Sequence, residues 1–419
     1  MNEQNPQYSI KNLGWRVTLA GMGINLALGI LYTWSVFSKA IPAEWNWTET
    51  HKSLPYMFAC LIFSLVMVPA GRMQDKLSPK LAAAIGGILV GVGFIVASRT
   101  TSPLGYLIGF GVLAGAGIGF GYASATPPAV KWFPKAKTGM IAGIVVSGFG
   151  LASVYTAPLS KWLISEYTIQ TAMLILGIAF FVIVVVLAQM LTPPPAGYSA
   201  EKNSSSSGVS ADPTKKEHFT PGEMLSTAQF YMMWFMYACG AGAGLMVIAK
   251  LAAIAEIQAG IKLGFLLVAA LAIGNGAGRI LLGMLSDKIG RKATLFLCFV
   301  IQAAAIMLLS VTKQGTFLAS VPILTVLSAL IGANYGANLA LFPSLTKDYY
   351  GLKNFGINYG LVFTAWGVGG FMLSYLAGRM YDIYKTFAIA YYGASILLIL
   401  AAACVFFIKP PHRQISNPQ

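Results

Sequence analysis

Arg279 and Asn275 stand four residues apart in the run from Leu263 to Leu285, where nearly every other residue is apolar. On a helix, residues i and i+4 stack on one face, so the two side chains would share it. Asp287 follows Arg279 by eight residues, and at ~1.5 Å of rise per residue the arginine would lie ~12 Å inside a membrane-crossing segment. A charge at that depth costs roughly 2.5–3.5 kcal/mol or more, which forces it towards a polar cavity and a partner. All 13 aspartates and glutamates fall in the terminal tail, in loops or near the ends of apolar runs. Arg279 is therefore expected to be a fixed cation that takes an anion from outside the chain. A guanidinium offers two parallel N–H groups to a carboxylate. The Asn275 amide would orient that carboxylate or bond a neighbouring 2-hydroxyl.

Depth supplies further candidates. Tyr122 precedes Lys131 by nine residues, and Tyr335 and Asn338 precede Lys347 by twelve and nine. That sets all three near the level of Arg279. Tyr32 lies low in the first apolar run. Phenol and amide donors can hold a carboxylate or a 2-hydroxyl while their carbon surfaces close a cavity. Leu28, one turn before Tyr32, and Trp366 would line the apolar side. Cys60, Cys239, Cys298 and Cys404 are widely separated in or beside apolar runs, and His51, His218 and His412 lie outside those runs. No metal or cofactor is expected from such spacing. The apolar runs hold no Ser–Lys, Asp–Asp or His cluster that could run hydrolysis, so an enzyme is not expected.

Positioning these groups is the work of membrane helices. Of the 419 residues 57% are hydrophobic and 10% charged, against about 25% charged in a soluble domain. The net charge of +15 sits in short loops between apolar runs, which argues for a bilayer and against nucleic acid. Runs long enough to span fall at 15–38, 53–71, 80–98, 103–127, 139–160, 169–191, 227–250, 263–285, 293–312, 318–342, 356–377 and 387–408. They form two sets of six, residues 1–191 and 227–419. The joint at 192–226 is Pro- and Ser-rich and reads as a linker, with a short helix around Pro221–Leu225. Most Lys and Arg cluster on the side of both termini and the linker, which places that side in the cytoplasm of a cell whose inner, or plasma, membrane holds the protein. The first run is too long and lacks the small-residue site of a cleaved leader. Spaced glycines at 115, 117, 119 and 121, and at 143, 148 and 150, allow close helix contact and rocking.

Gly71-Arg72-Met73-Gln74-Asp75-Lys76-Leu77-Ser78-Pro79-Lys80 and Gly283-Met284-Leu285-Ser286-Asp287-Lys288-Ile289-Gly290-Arg291-Lys292 share the pattern G-x3-D-K-x3-K/R. They follow the second and eighth runs, at matching places in the two halves. This is internal duplication. Asp75, Lys76, Asp287 and Lys288 are expected to form a cytoplasmic latch. Ala377-Gly378-Arg379-Met380-Tyr381-Asp382 echoes the first copy on the opposite side, as a candidate external latch.

The duplicated loop resembles the signature of the major facilitator superfamily. Tyr32-Thr33-Trp34-Ser35-Val36-Phe37, Lys131-Trp132-Phe133-Pro134, Gly222-Glu223-Met224-Leu225-Ser226-Thr227, Leu341-Phe342-Pro343-Ser344 and Asn358-Tyr359-Gly360 resemble its monocarboxylate transporter and oxalate–formate antiporter branch, over nearly the whole chain. The resemblance implies an all-α fold of twelve transmembrane helices in two pseudo-symmetric six-helix bundles, alternating access, a midplane site and anionic substrates. Oxalate carriers place aromatics at positions matching Tyr32, Tyr122 and Tyr335. They carry a second cation, a lysine, where this chain has Trp366, which favours a monocarboxylate. Animal monocarboxylate carriers have Asp-x3-Arg where this chain has Asn275-x3-Arg279, so their aspartate does not carry over, and Lys39 is no secure counterpart of their lysine in the first span.

The expectation is a secondary carrier of small monocarboxylates such as lactate or pyruvate, together with a proton, working as a monomer. Rival readings are an exchanger such as an oxalate–formate antiporter, and a membrane sensor that binds a carboxylate without moving it.

Overall fold

The computed structural model describes residues 12–134, 138–195, 198, 219–260, 264–351 and 354–411. Within them, twelve helices are long and apolar enough to cross a bilayer. They are α1 (Gly14–Lys39), α2 (Glu49–Gln74), α3 (Pro79–Ser98), α4 (Pro103–Val130), α5 (Met140–Glu166) and α6 (Ile169–Ala188) in the first half. The second half holds α7 (Ala228–Ile257), α8 (Gly264–Ile289), α9 (Arg291–Ser310), α10 (Val321–Tyr350), α11 (Ile357–Tyr384) and α12 (Ala388–Phe407).

Local chemistry starts many of these helices. Ser78 and Ser102 accept from the backbone N–H groups of Lys80 and Leu104 and are each followed by proline at the first helical position. Thr168 and Thr227 cap α6 and α7 in the same way. The short helix Pro221–Leu225 is present in the linker, with a Thr220–Glu223 capping box. Most of the rest of the linker lies outside the described residues. Two spans are not uniform: α1 tightens to a 3₁₀ turn at Gly29–Thr33, which carries Tyr32, and α4 widens to a π-helical stretch at Leu107–Ala114.

Several helices outrun their apolar stretches. The seventh run, expected to end at 250, continues as helix to Ala259, and the tenth and eleventh reach Tyr350 and Tyr384. Backbone hydrogen bonding does not stop where apolarity does, so charged residues ride on helical extensions. Lys250, expected at the water surface, is instead buried.

The packing repeats between halves. In the first half α1 packs on α5, α2 on α4 and α3 on α6. In the second, α7 packs on α11, α8 on α10 and α9 on α12. Adding six to each number converts one set into the other, as a pseudo-two-fold axis along the membrane normal requires. The seam between halves is itself paired this way, α2 against α11 and α5 against α8. Both seam and intra-half contacts rely on glycine for close approach. A Cβ on Gly278 of α8 would sit 2.1 Å from the Ala333 carbonyl oxygen of α10, and one on Gly367 of α11 would meet Ser64 of α2. Exposed leucine, isoleucine, valine and phenylalanine side chains on the outer faces suit contact with lipid.

Candidate substrate site

Helix α8 carries Arg279 and Asn275 into the seam against α5. Arg279 Nε donates to Asn275 Oδ1 at 3.2 Å, as the spacing on one helix face predicts. One terminal nitrogen, Nη1, donates across the seam to the Val146 carbonyl oxygen of α5 at 3.0 Å. The other, Nη2, and Asn275 Nδ2 are buried without a protein partner among the described residues. No described carboxylate comes within ion-pair distance of Arg279. Its partners so far are neutral oxygens, which orient the guanidinium and leave its charge in place.

Arg279 lies in the wall of a cavity of about 1080 Å³ between the halves. Tyr122, Thr126, Ser147 and Tyr359 share the wall. The cavity runs to Arg72, Asp287 and Lys347 at the basic end, where Arg72 and Asp287 are exposed. The Tyr122 hydroxyl faces the guanidinium. A small anion entering from the basic end would thus meet the Arg279 guanidinium and the Tyr122 phenol in the wall, while Asn275 lies fully buried behind the arginine, outside the cavity lining.

Tyr32, Tyr335 and Trp366 are brought together, but as a buried plug rather than as wall. The Tyr32 and Tyr335 hydroxyls are 2.5 Å apart, and Trp366 Nε1 donates to the Tyr335 oxygen at 2.8 Å. Tyr32 comes from the first half and the other two from the second, so the plug joins them. Phe63 and Phe149 of the first half and Phe363 of the second surround it: Phe149 meets Tyr32 edge-on at 4.9 Å, Phe63 meets Trp366 at 5.0 Å, and Phe363 stacks on Trp366 at 5.2 Å. These phenylalanines were not singled out in the sequence, because an apolar aromatic in an apolar helix carries no local signal.

Two candidates lie elsewhere. Leu28 packs into the space over Gly121 of α4, and Asn338 sits against Gly240 of α7 with its amide nitrogen on the Asn334 carbonyl. Both are buried inside their own halves. The rotation of their helices turns them from the cavity. At the basic end, Asp287 pairs with Arg291 at 2.6 Å, and Arg291 reaches Asp348 at 3.4 Å, all within the second half. Lys76 and Lys288 are exposed, and the side chain of Asp75 lies outside the described residues.

The far end is shut by contacts that cross the seam. Lys250 of α7 bonds Glu49 of α2 at 2.8 Å, and Lys39 of α1 bonds Glu256 of α7 at 3.0 Å. Asp382 of α11 accepts from the Glu49 and Thr50 backbone N–H groups at 2.8 and 2.9 Å, and from the Thr50 hydroxyl. The candidate external latch therefore does cross the seam through Asp382. Lys250 was missed as a buried cation, although apolar residues continue past it from Leu251 to Ile254, and that continuation was the available signal.

A twelve-helix, duplicated chain with a cavity between its halves, open at one end and shut at the other, defines a membrane transporter fold. The model of the Major Facilitator Superfamily matches residues 17–267 and 244–419, and the chain belongs to that family. It is 27% identical to an uncharacterized MFS-type transporter, YhjX, of Escherichia coli over 85% of each chain. It is 26% identical to the oxalate:formate antiporter of Oxalobacter formigenes, over 84% of this chain and 81% of that one. It is 25% identical to monocarboxylate transporter 12 of Xenopus laevis, over 85% and 80%. Among solved structures, a bacterial homolog of the human lysosomal transporter Spinster, inward-facing and unoccupied, superposes with a TM-score of 0.69 at 16% identity, covering 95% of this chain and 97% of the other. That likeness concerns the fold.

Proposed function

We propose that this protein is a secondary carrier that moves small monocarboxylates of the lactate or pyruvate type together with a proton, by alternating access between its halves. The carrying observation is the Arg279 guanidinium: buried at the cavity wall, braced by neutral oxygens, with Nη2 unpartnered. An unpaired buried cation suits one carboxylate, which in this reading Tyr122 of the same wall orients, with Asn275 bracing the guanidinium from behind. The named activities of the 25–26% identical relatives, monocarboxylate transport and oxalate:formate exchange, fall in the same chemical class.

In this proposal residues 1–191 and 227–419 are the moving bundles and 192–226 is the linker. The basic end faces the cytoplasm, with both termini inside and the inner membrane around the protein. The cavity is then the inward-open form. Substrate binding neutralises Arg279 and lowers the cost of closing the cytoplasmic end over it. Closure at the cytoplasmic end brings the loops with Asp75, Lys76, Asp287 and Lys288 together as a latch.

Arg279→Ala is expected to abolish uptake of radiolabelled lactate into proteoliposomes, while full uptake would sink the site. An imposed inward proton gradient should accelerate wild-type uptake. Indifference to that gradient would remove the proton and leave uniport or exchange, which preloaded vesicles separate.

A further inference from the structure

Glu49 is held as a substrate would be. Its two carboxylate oxygens are taken by two ammonium groups, Oε1 by Lys52 at 2.9 Å and Oε2 by Lys250 at 2.8 Å. Lys250 also donates to the Glu49 backbone oxygen at 3.0 Å. Lys52 belongs to the same helix as Glu49, one turn on, and keeps its partner whatever the halves do. Lys250 belongs to α7 in the other half and is only 1% exposed. Opening this end must part α2 from α11 and α7, which breaks the Lys250–Glu49 pair, the Lys39–Glu256 pair and the Asp382 contacts together. The N-terminal end of α2 keeps Thr48 as its cap and Glu49 keeps Lys52. Lys250 is left without Glu49 as a cation of the second half, on the helix next to that of Arg279, while Asp382 of the same half, which acts on it electrostatically, loses its own first-half partners.

We propose that Lys250 is a second carboxylate-binding site, the external entry site of the carrier, and that Glu49 occupies it in the inward-open form in place of substrate. The inference rests on the carboxylate-carrier function proposed above. An incoming small monocarboxylate binds Lys250 when the outer end is open and passes on to Arg279. Glu49 then retakes the lysine as the outer end closes, so the same cation serves as entry site and as latch.

The test separates this from a latch that has no contact with substrate. A mere latch is lost equally in Lys250→Gln and Glu49→Gln, so both would favour the outward-open form and both would lower the KM for lactate uptake from the outer face. An entry site predicts opposite shifts. Glu49→Gln removes the internal competitor and lowers that KM. Lys250→Gln raises it by roughly tenfold, the factor that one hydrogen bond to a charged group supplies. Lys250→Arg keeps the charge and should stay near wild type. The Glu49→Gln/Lys250→Gln double variant leaves no buried charge unpaired, which guards against misfolding, and should share the raised KM. A lowered KM in Lys250→Gln or in the double variant, with wild-type uptake intact, overturns the entry site and leaves the carrier standing. Absence of any carboxylate uptake by wild type overturns both.

Discussion

The hydroxyls of Tyr32 and Tyr335 meet 2.5 Å apart across the seam, and the same Tyr335 oxygen accepts the Trp366 indole N–H. Tyr335→Phe removes both bonds and leaves the Trp366 N–H buried without a partner. A stranded buried donor costs about 1–3 kcal/mol, and only the conformation that makes these bonds pays it. The purified variant should melt a few degrees lower than wild type. Tyr32→Phe should lose less, because Tyr335 still satisfies Trp366. Equal melting temperatures in all three proteins would show that the plug does not hold this conformation.

Asn275→Asp would place a carboxylate 3.2 Å or so from Arg279 Nε, where the amide oxygen now sits. At neutral pH that carboxylate would neutralise the guanidinium from within and compete with substrate. Affinity for lactate should fall about tenfold, the scale of one charge-assisted bond. Asn275→Ala removes the brace but keeps the free charge, so its loss should be smaller. A thermal-shift titration ranks the two variants. If the aspartate variant binds lactate as tightly as wild type, Arg279 is not where the carboxylate sits.

Gly278 precedes Arg279 at one of the close approaches of α8 to α10. A Cβ there would stand 2.1 Å from the Ala333 carbonyl oxygen, a contact that backbone must yield to. Gly278→Ala should cost about 1–3 kcal/mol or more through overpacking, and should also displace Arg279 from the Val146 carbonyl. Both melting temperature and lactate uptake should drop. Gly283→Ala is the matched control for stability, since its nearest neighbour, the Ala340 side chain, would be 3.9 Å away. Similar melting temperatures for the two variants would mean that α8 and α10 can slide apart freely.

Legibility in the sequence follows the range of the interaction. The twelve spans, their division into two sets and the pairing of Arg279 with Asn275 depend on run length, duplication and helical pitch, all of which are local. Tyr122 reaches the cavity wall with Arg279, the two having been paired by their distances from Lys131 and Asp287. Leu28 and Asn338 have the same kind of depth argument and end in their own bundles, because depth does not fix rotation about the helix axis. Rotation is set by what packs on every side, here Gly121 for Leu28 and Gly240 for Asn338.

What the sequence by itself determined is an apolar, duplicated, twelve-helix chain with an arginine in its eighth run that has no acidic residue within two helical turns. Only the tertiary structure decided that Val146 of the other half braces that arginine, that Tyr32 closes on Tyr335, and that Lys250 leaves water to pair with Glu49. These partners are separated by 133, 303 and 201 residues. A charge or hydroxyl in an apolar segment is costly to bury without a partner, and that cost is visible in the sequence. Which partner it finds depends on the order in which whole helices pack, and no local pattern encodes that.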